Sequence, residues 1–124
     1  MAIKGRRSKR EDLVFAVEDP YKNIVRLERY TWDEHITRRH PEVAGTAESV
    51  LRALISSPDK IRMSTLDQDV AAFEDGTLRA LVLYEDLEFT KGETFGRVTT
   101  VYPYTGVPSS VGKVIFQSKS GTNT

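Results

Sequence analysis

The chain contains no cysteine. That excludes disulfide staples, thiolate nucleophiles and cysteine-ligated metal, and leaves the fold to stand on packing alone. No apolar run approaches the roughly 20 residues that cross a bilayer, and the basic residues 1–12 lead into no signal-peptide core, so a cytoplasmic location and no membrane partner are expected. Glycine-rich phosphate loops of the P-loop or dinucleotide type are missing. So is a G-x-S-x-G elbow, and Ser49, Ser56 and Ser57 belong with a helix that reads as core packing, which leaves Ser/His/Asp catalysis without a scaffold. Histidine is scarce, with two copies in 124 residues. Their H-x4-H spacing is not that of a zinc site, and no third histidine can complete one. Neither a metal nor another cofactor is expected.

An excess of one charge is also lacking: 18 basic residues balance 18 acidic ones. The balance is uneven along the chain. Lys4, Arg6, Arg7, Lys9 and Arg10 give the first ten residues a charge of +5, and the rest carries −5. A nucleic-acid binder usually shows a positive footprint, so affinity for RNA would have to come from a local basic patch, helped by the arm.

What is present describes one ordinary domain. The apolar fraction is 39% and the charged fraction 29%, as in a globular chain long enough to close one core. Residues 1–12 read as a flexible basic arm, 13–117 as a single domain and 118–124 as a disordered polar tail. Strands are expected at residues 13–17 and 23–27, the first ending at the turn signal Glu18-Asp19-Pro20. Thr31 with Glu34 fits a capping box for a helix that must stop at His40, because Pro41 disfavours the α conformation before it. A clearer helix carries Ala47, Val50, Leu51, Leu54 and Ile55 at helical spacing and ends at Pro58. Strands follow at 60–64, 70–74, 78–84, 97–102 and 111–117, with a turn at Asp75-Gly76 and an acidic loop over 85–93. Residues 78–84 are nearly all apolar, as in a strand covered on both faces. The order implies an α+β fold, with two helices from the N-terminal half packed on a twisted antiparallel sheet.

Both histidines fall in one stretch, His35-Ile36-Thr37-Arg38-Arg39-His40-Pro41-Glu42. On a helix His35 and Arg39 stand at i and i+4 on one face, beside the apolar Trp32 and Ile36. A cation held next to a core usually has a reason. His40 comes where the helix breaks, which frees its ring to turn elsewhere. The plain alternative is favourable interaction with the helix dipole and ion pairs to Glu34 or Glu42. A second group is Val98-Thr99-Thr100-Val101-Tyr102. Strand alternation puts Val98, Thr100 and Tyr102 on one face and Arg97, Thr99 and Val101 on the other. Thr100 and Tyr102 are either ordinary strand formers or hydroxyl donors to a phosphate, with Tyr102 also a platform for a base. Arg38, Arg97 and Tyr104 accompany them as candidates for holding substrate.

Together the two groups resemble small phage-associated nuclease and toxin domains of the barnase–EndoU–colicin–RelE type. The segment from Tyr30 to Val43 is similar to their H-I-x-x-R-H-P-E helix, Ser57-Pro58-Asp59-Lys60-Ile61 to their P-x-x-I element, and Val98–Tyr102 to their T-x-Y strand. The resemblance spans about residues 13–114. It implies an α+β nuclease fold, a site formed by His35, Arg39, His40, Thr100 and Tyr102, and endonuclease activity on RNA. The chemistry would be a transesterification: one imidazole takes the ribose 2′-hydroxyl proton, His40 or Tyr102 protonates the leaving oxygen, and Arg39 with Thr100 holds the phosphate. The partners implied are RNA, free or on the ribosome, and an antitoxin or immunity protein. The alternatives are a binding protein on the same fold without catalysis, and an mRNA interferase that acts only on the ribosome.

Overall fold

Seven strands join in one sheet in the order β1-β2-β6-β5-β4-β3-β7. The computed structural model describes residues 12–64, 69–104 and 111–118, so residues 1–11 of the expected 1–12 arm and 119–124 of the expected 118–124 tail lie outside them. The strands are β1 (Leu13–Glu18), β2 (Ile24–Glu28), β3 (Lys60–Ser64), β4 (Val70–Glu74), β5 (Leu78–Tyr84), β6 (Phe95–Pro103) and β7 (Val111–Gln117). Helix α2 (Glu48–Ser56) follows the expected apolar spacing and stops before Pro58. Among the described residues no helix is long and apolar enough to cross a membrane.

The α+β expectation holds, but the sheet is mixed rather than antiparallel. β2 and β6 run parallel, while every other neighbouring pair is antiparallel. The cause lies in the connections. β1–β2 and β3–β4–β5–β6 are each built from short returns, which produce antiparallel neighbours. The two blocks then meet along β2 and β6, whose directions no hairpin constrains.

One face of the sheet carries the core. Leu51, Leu54 and Ile55 of α2 pack on Phe15, Leu27, Ala80, Val98 and Val101. Ile61, Phe73 and Val82, all without exposed surface, extend the same apolar layer. Each large aliphatic side chain buried there contributes about 1.5–3 kcal/mol. Burial on both faces of β5 is only partial: Leu81 and Leu83 are half-buried, and the residue most deeply covered on that far face is Arg79.

The first helix departs from its expected start. Residues 29–39, here α1, leave β2 directly as α-helical Arg29–Thr31, widen into π-helical Trp32–Ile36 and close as α-helical Thr37–Arg39. Thr31 is itself helical and makes no capping hydrogen bond with its side chain, so the capping box from Thr31 to Glu34 does not form. The polypeptide enters the helix without a turn, and there is no free Ncap position for Thr31 to occupy. Trp32 and Ile36 still anchor the segment in the core, and α1 runs against β6.

The β1–β2 turn is held by a buried carboxylate. Asp19 accepts hydrogen bonds from the Tyr21 and Asn23 backbone N–H groups at 2.8 and 2.9 Å, from Asn23 Nδ2 at 2.9 Å and from the Tyr84 hydroxyl at 2.7 Å. Asn23 Nδ2 also donates to the Phe89 carbonyl at 2.6 Å, and Asn23 Oδ1 accepts from the Thr94 N–H at 3.1 Å. The acidic loop is thereby tied to the turn. Gly92 belongs to the same junction: its φ is +78°, and a Cβ there would run into the Tyr21 carbonyl oxygen, so only glycine fits.

Candidate functional site

A bulge in β6 decides which side chains share a face. Val82 pairs with Val98 and Leu81 with Thr100, which leaves Thr99 as the extra residue. Simple alternation therefore fails at this point. Val98 and Val101 both enter the core, whereas alternation would separate them. Arg97, Thr100 and Tyr102 pair with Leu83, Leu81 and Arg79, which are spaced by two along β5. All three thus lie on the far face, and Arg97 joins the two residues it was expected to oppose.

His35, Arg39, Thr99 and Thr100 line one cavity of about 210 Å³. The helix and the distant strand meet there. Thr99, which sequence alternation turned away from Thr100, is the member missed, and the bulge is what supplies it. Its hydroxyl donates to the Leu81 carbonyl at 3.3 Å, so toward the cavity it offers an acceptor. Thr100 has no hydrogen-bond partner among the described residues, so its O–H is available to a ligand oxygen.

The π turn holds His35 in position. Thr37 closes it through its backbone N–H on the Trp32 carbonyl. The Thr37 hydroxyl adds hydrogen bonds to the carbonyls of Trp32 at 3.0 Å and Asp33 at 3.3 Å, a side-chain competition for helix carbonyls that widens a turn. The His35 ring is exposed and rests edge-on against Tyr30, with centroids 5.2 Å apart. Arg39 is exposed and, among the described residues, enters no ion pair or hydrogen bond. Arg38 differs: it bridges to Glu34 at 3.0 Å and does not line the cavity.

His40 leaves the helix with φ −130° and ψ 71°, as its position before Pro41 requires. Its half-buried ring contacts Tyr102 at a centroid distance of 5.5 Å. His40 and Tyr102 therefore form a pair beside the cavity rather than part of its lining.

Behind Tyr102 lies a charged network that sequence reasoning missed. Arg79, wholly buried, binds Glu74 through Nε at 2.9 Å and through Nη2. Arg62 reaches the same carboxylate at 3.1 and 3.2 Å and the Gly112 carbonyl at 3.4 Å. The Arg79 guanidinium also stands 4.6 Å from the centroid of Tyr104 and 5.9 Å from that of Tyr102, within the range of cation–π attraction. Tyr104 thus belongs to the support of Tyr102. The available signal was a lone arginine inside an apolar strand, one hairpin away from a glutamate.

Arg97 lines a different cavity, of about 180 Å³, with Arg26, Phe95 and Leu83. Among the described residues no group of three or more His, Asp or Glu is placed to hold a metal ion. In comparisons with known proteins, no family model, curated protein or solved structure matches the chain.

Proposed function

We propose that the protein is an endoribonuclease that cuts RNA without a metal ion, a toxin-like activity of the barnase–EndoU–colicin–RelE kind. The observation that carries the reading is the shared cavity of His35, Arg39, Thr99 and Thr100, which puts a base, a fixed cation and a hydroxyl donor around a space fit for one phosphodiester. His35 accepts the proton of the ribose 2′-hydroxyl, and the 2′-oxygen attacks the adjacent phosphorus. The bond from phosphorus to the 5′-oxygen breaks, and that oxygen takes a proton from His40 or Tyr102. The products are a 2′,3′-cyclic phosphate and a 5′-hydroxyl. Arg39 and the Thr100 hydroxyl stabilise charge on the non-bridging oxygens. DNA, lacking the nucleophile, is spared. The α+β architecture, two strands, two helical stretches and a further run of strands in one mixed sheet, is compatible with this reading.

Incubation with single-stranded RNA in EDTA tests the reading: cleavage to a cyclic phosphate is expected and is lost in the His35→Ala, His40→Ala double variant. Cleavage that persists in that variant, or that requires a divalent ion, would sink it. A second reading, a binding protein without catalysis, is favoured by one observation: His40 is not in the cavity with His35. Binding of RNA with no cleavage, either alone or with translating ribosomes, would select it. Cleavage only in the presence of ribosomes would make the protein an mRNA interferase.

A further inference from the structure

Arg26 and Arg97 are cross-strand partners in the parallel pair of β2 and β6. Their side chains leave the sheet on the same face, about 4.8 Å apart at the backbone. Like charges placed directly opposite destabilise a sheet, and among the described residues neither arginine has an ion pair to offset this. Arg26 Nε is moreover buried with no hydrogen-bond partner. A buried guanidinium donor left unpaired costs about 1–3 kcal/mol, and such an atom calls for a ligand. Both arginines line the 180 Å³ cavity. Asp69 and Glu85 also border it, so the cavity is not uniformly positive.

The position of this cavity along β6 gives it a meaning. Because Arg97 pairs with Leu83 and Thr100 with Leu81, the two lie about 7 Å apart along one face. That is about one nucleotide step of an extended strand. Phe95, two residues before Arg97 and therefore on that same face, is 49% exposed and lines the cavity. The far face of β6 thus presents, in order, an aromatic ring, an arginine, Thr100 of the candidate site and Tyr102. Cations alternating with aromatic faces are what a single-stranded nucleic acid needs for its phosphates and bases.

We infer that the Arg26–Arg97 cavity binds the phosphate next to the one cut, with Phe95 stacking on the attached base, so that the protein grips a single RNA strand over more than one nucleotide. The inference rests on the endoribonuclease reading for its choice of ligand, but it is tested by binding alone. The probe is a fluorescein-labelled 2′-O-methyl RNA tetranucleotide, which has no free 2′-hydroxyl and stays intact. Arg97→Ala, at an exposed position, is expected to weaken binding about tenfold and to lower the slope of log K against log salt by about 0.7, the loss of one phosphate contact. Phe95→Ala should weaken it at least about fivefold. Arg26→Lys keeps the charge but not the planar fork, and falls between wild type and Arg97→Ala. Lys91→Ala, in the acidic loop, serves as the control for general charge.

Unchanged affinity and slope in Arg97→Ala, or an equal loss in Lys91→Ala, overturns the inference. Displacement of the strand by micromolar inorganic phosphate also overturns it, by making the cavity a site for a free anion. A protein that binds as described yet never cleaves RNA would refute the endoribonuclease reading and leave the strand-binding cavity standing.

Discussion

Two sets of arginines differ in what answers their charge. Arg79 and Arg62 converge on Glu74, and Arg79 also stands against the rings of Tyr102 and Tyr104. Arg39, Arg26 and Arg97 have no acid partner among the described residues. The same side chain thus serves two ends. In the first set each charge is answered inside the protein, and its removal should be felt as lost stability. In the second no acid answers the charge within the described residues, and under the proposed function its removal should be felt as lost binding or chemistry with the fold intact.

The sharpest way to break this contrast is Glu74→Ala. It strands Arg79 in the interior without a counter-charge, and a loss of about 3–5 kcal/mol is expected in chemical denaturation. A loss below about 1 kcal/mol would mean that the network is not structural. Next is Arg39→Ala, which should leave the denaturation midpoint nearly unchanged, within about 0.5 kcal/mol. RNA cleavage by that variant should fall about 10²–10³-fold, the usual cost of removing one charge-stabilising donor. An unstable Arg39→Ala protein would erase the distinction between the two sets.

Tyr84 extends the comparison to a neutral partner. Burial first, and the nearby Asp19 second, push its phenol well above its ordinary value of 10.0. Tyr84→Phe removes a donor to a buried carboxylate and should cost about 1–3 kcal/mol. The pH dependence follows from the direction of the shift. The protonated phenol is favoured in the fold, so its contribution is complete below about pH 10 and is lost as pH climbs beyond that. Alkaline unfolding of the wild type should therefore begin above about pH 10, and a midpoint that stays flat to pH 12 would contradict it. The smallest effect is assigned to Arg38→Ala. Its bridge to Glu34 is exposed at both ends and screened by water, so about 0.3–0.5 kcal/mol is the ceiling.

The outline of the fold was legible where periodicity is a local property. Helix α2 and strands β3, β4 and β5 fall at the residues their patterns indicated, because apolar spacing alone sets which face is buried. The errors came where geometry depends on a neighbour. The bulge at Thr99 is a property of the β5–β6 pair, and no feature of Val98–Tyr102 alone announces it. The parallel alignment of β2 and β6 joins residues some seventy positions apart, beyond the reach of any local pattern. The missing cap at Thr31 has the same origin, since the helix begins where β2 ends. At the candidate site, His35, Arg39 and Thr100 could be named from residue type, whereas Thr99 and Arg26 needed the register of two strands.

The sheet order carries one more consequence. Strands β3 to β7 form a continuous block from residues 60–117, while β1, β2 and both helices come from residues 12–56. The junction between the blocks is the edge where β2 and α1 meet β6. His35 and Arg39 arrive with one block and Thr99 and Thr100 with the other. Neither portion owns a complete cavity, so two fragments separated near Pro58 would each be inert, and any cutting power would return only on their reassociation.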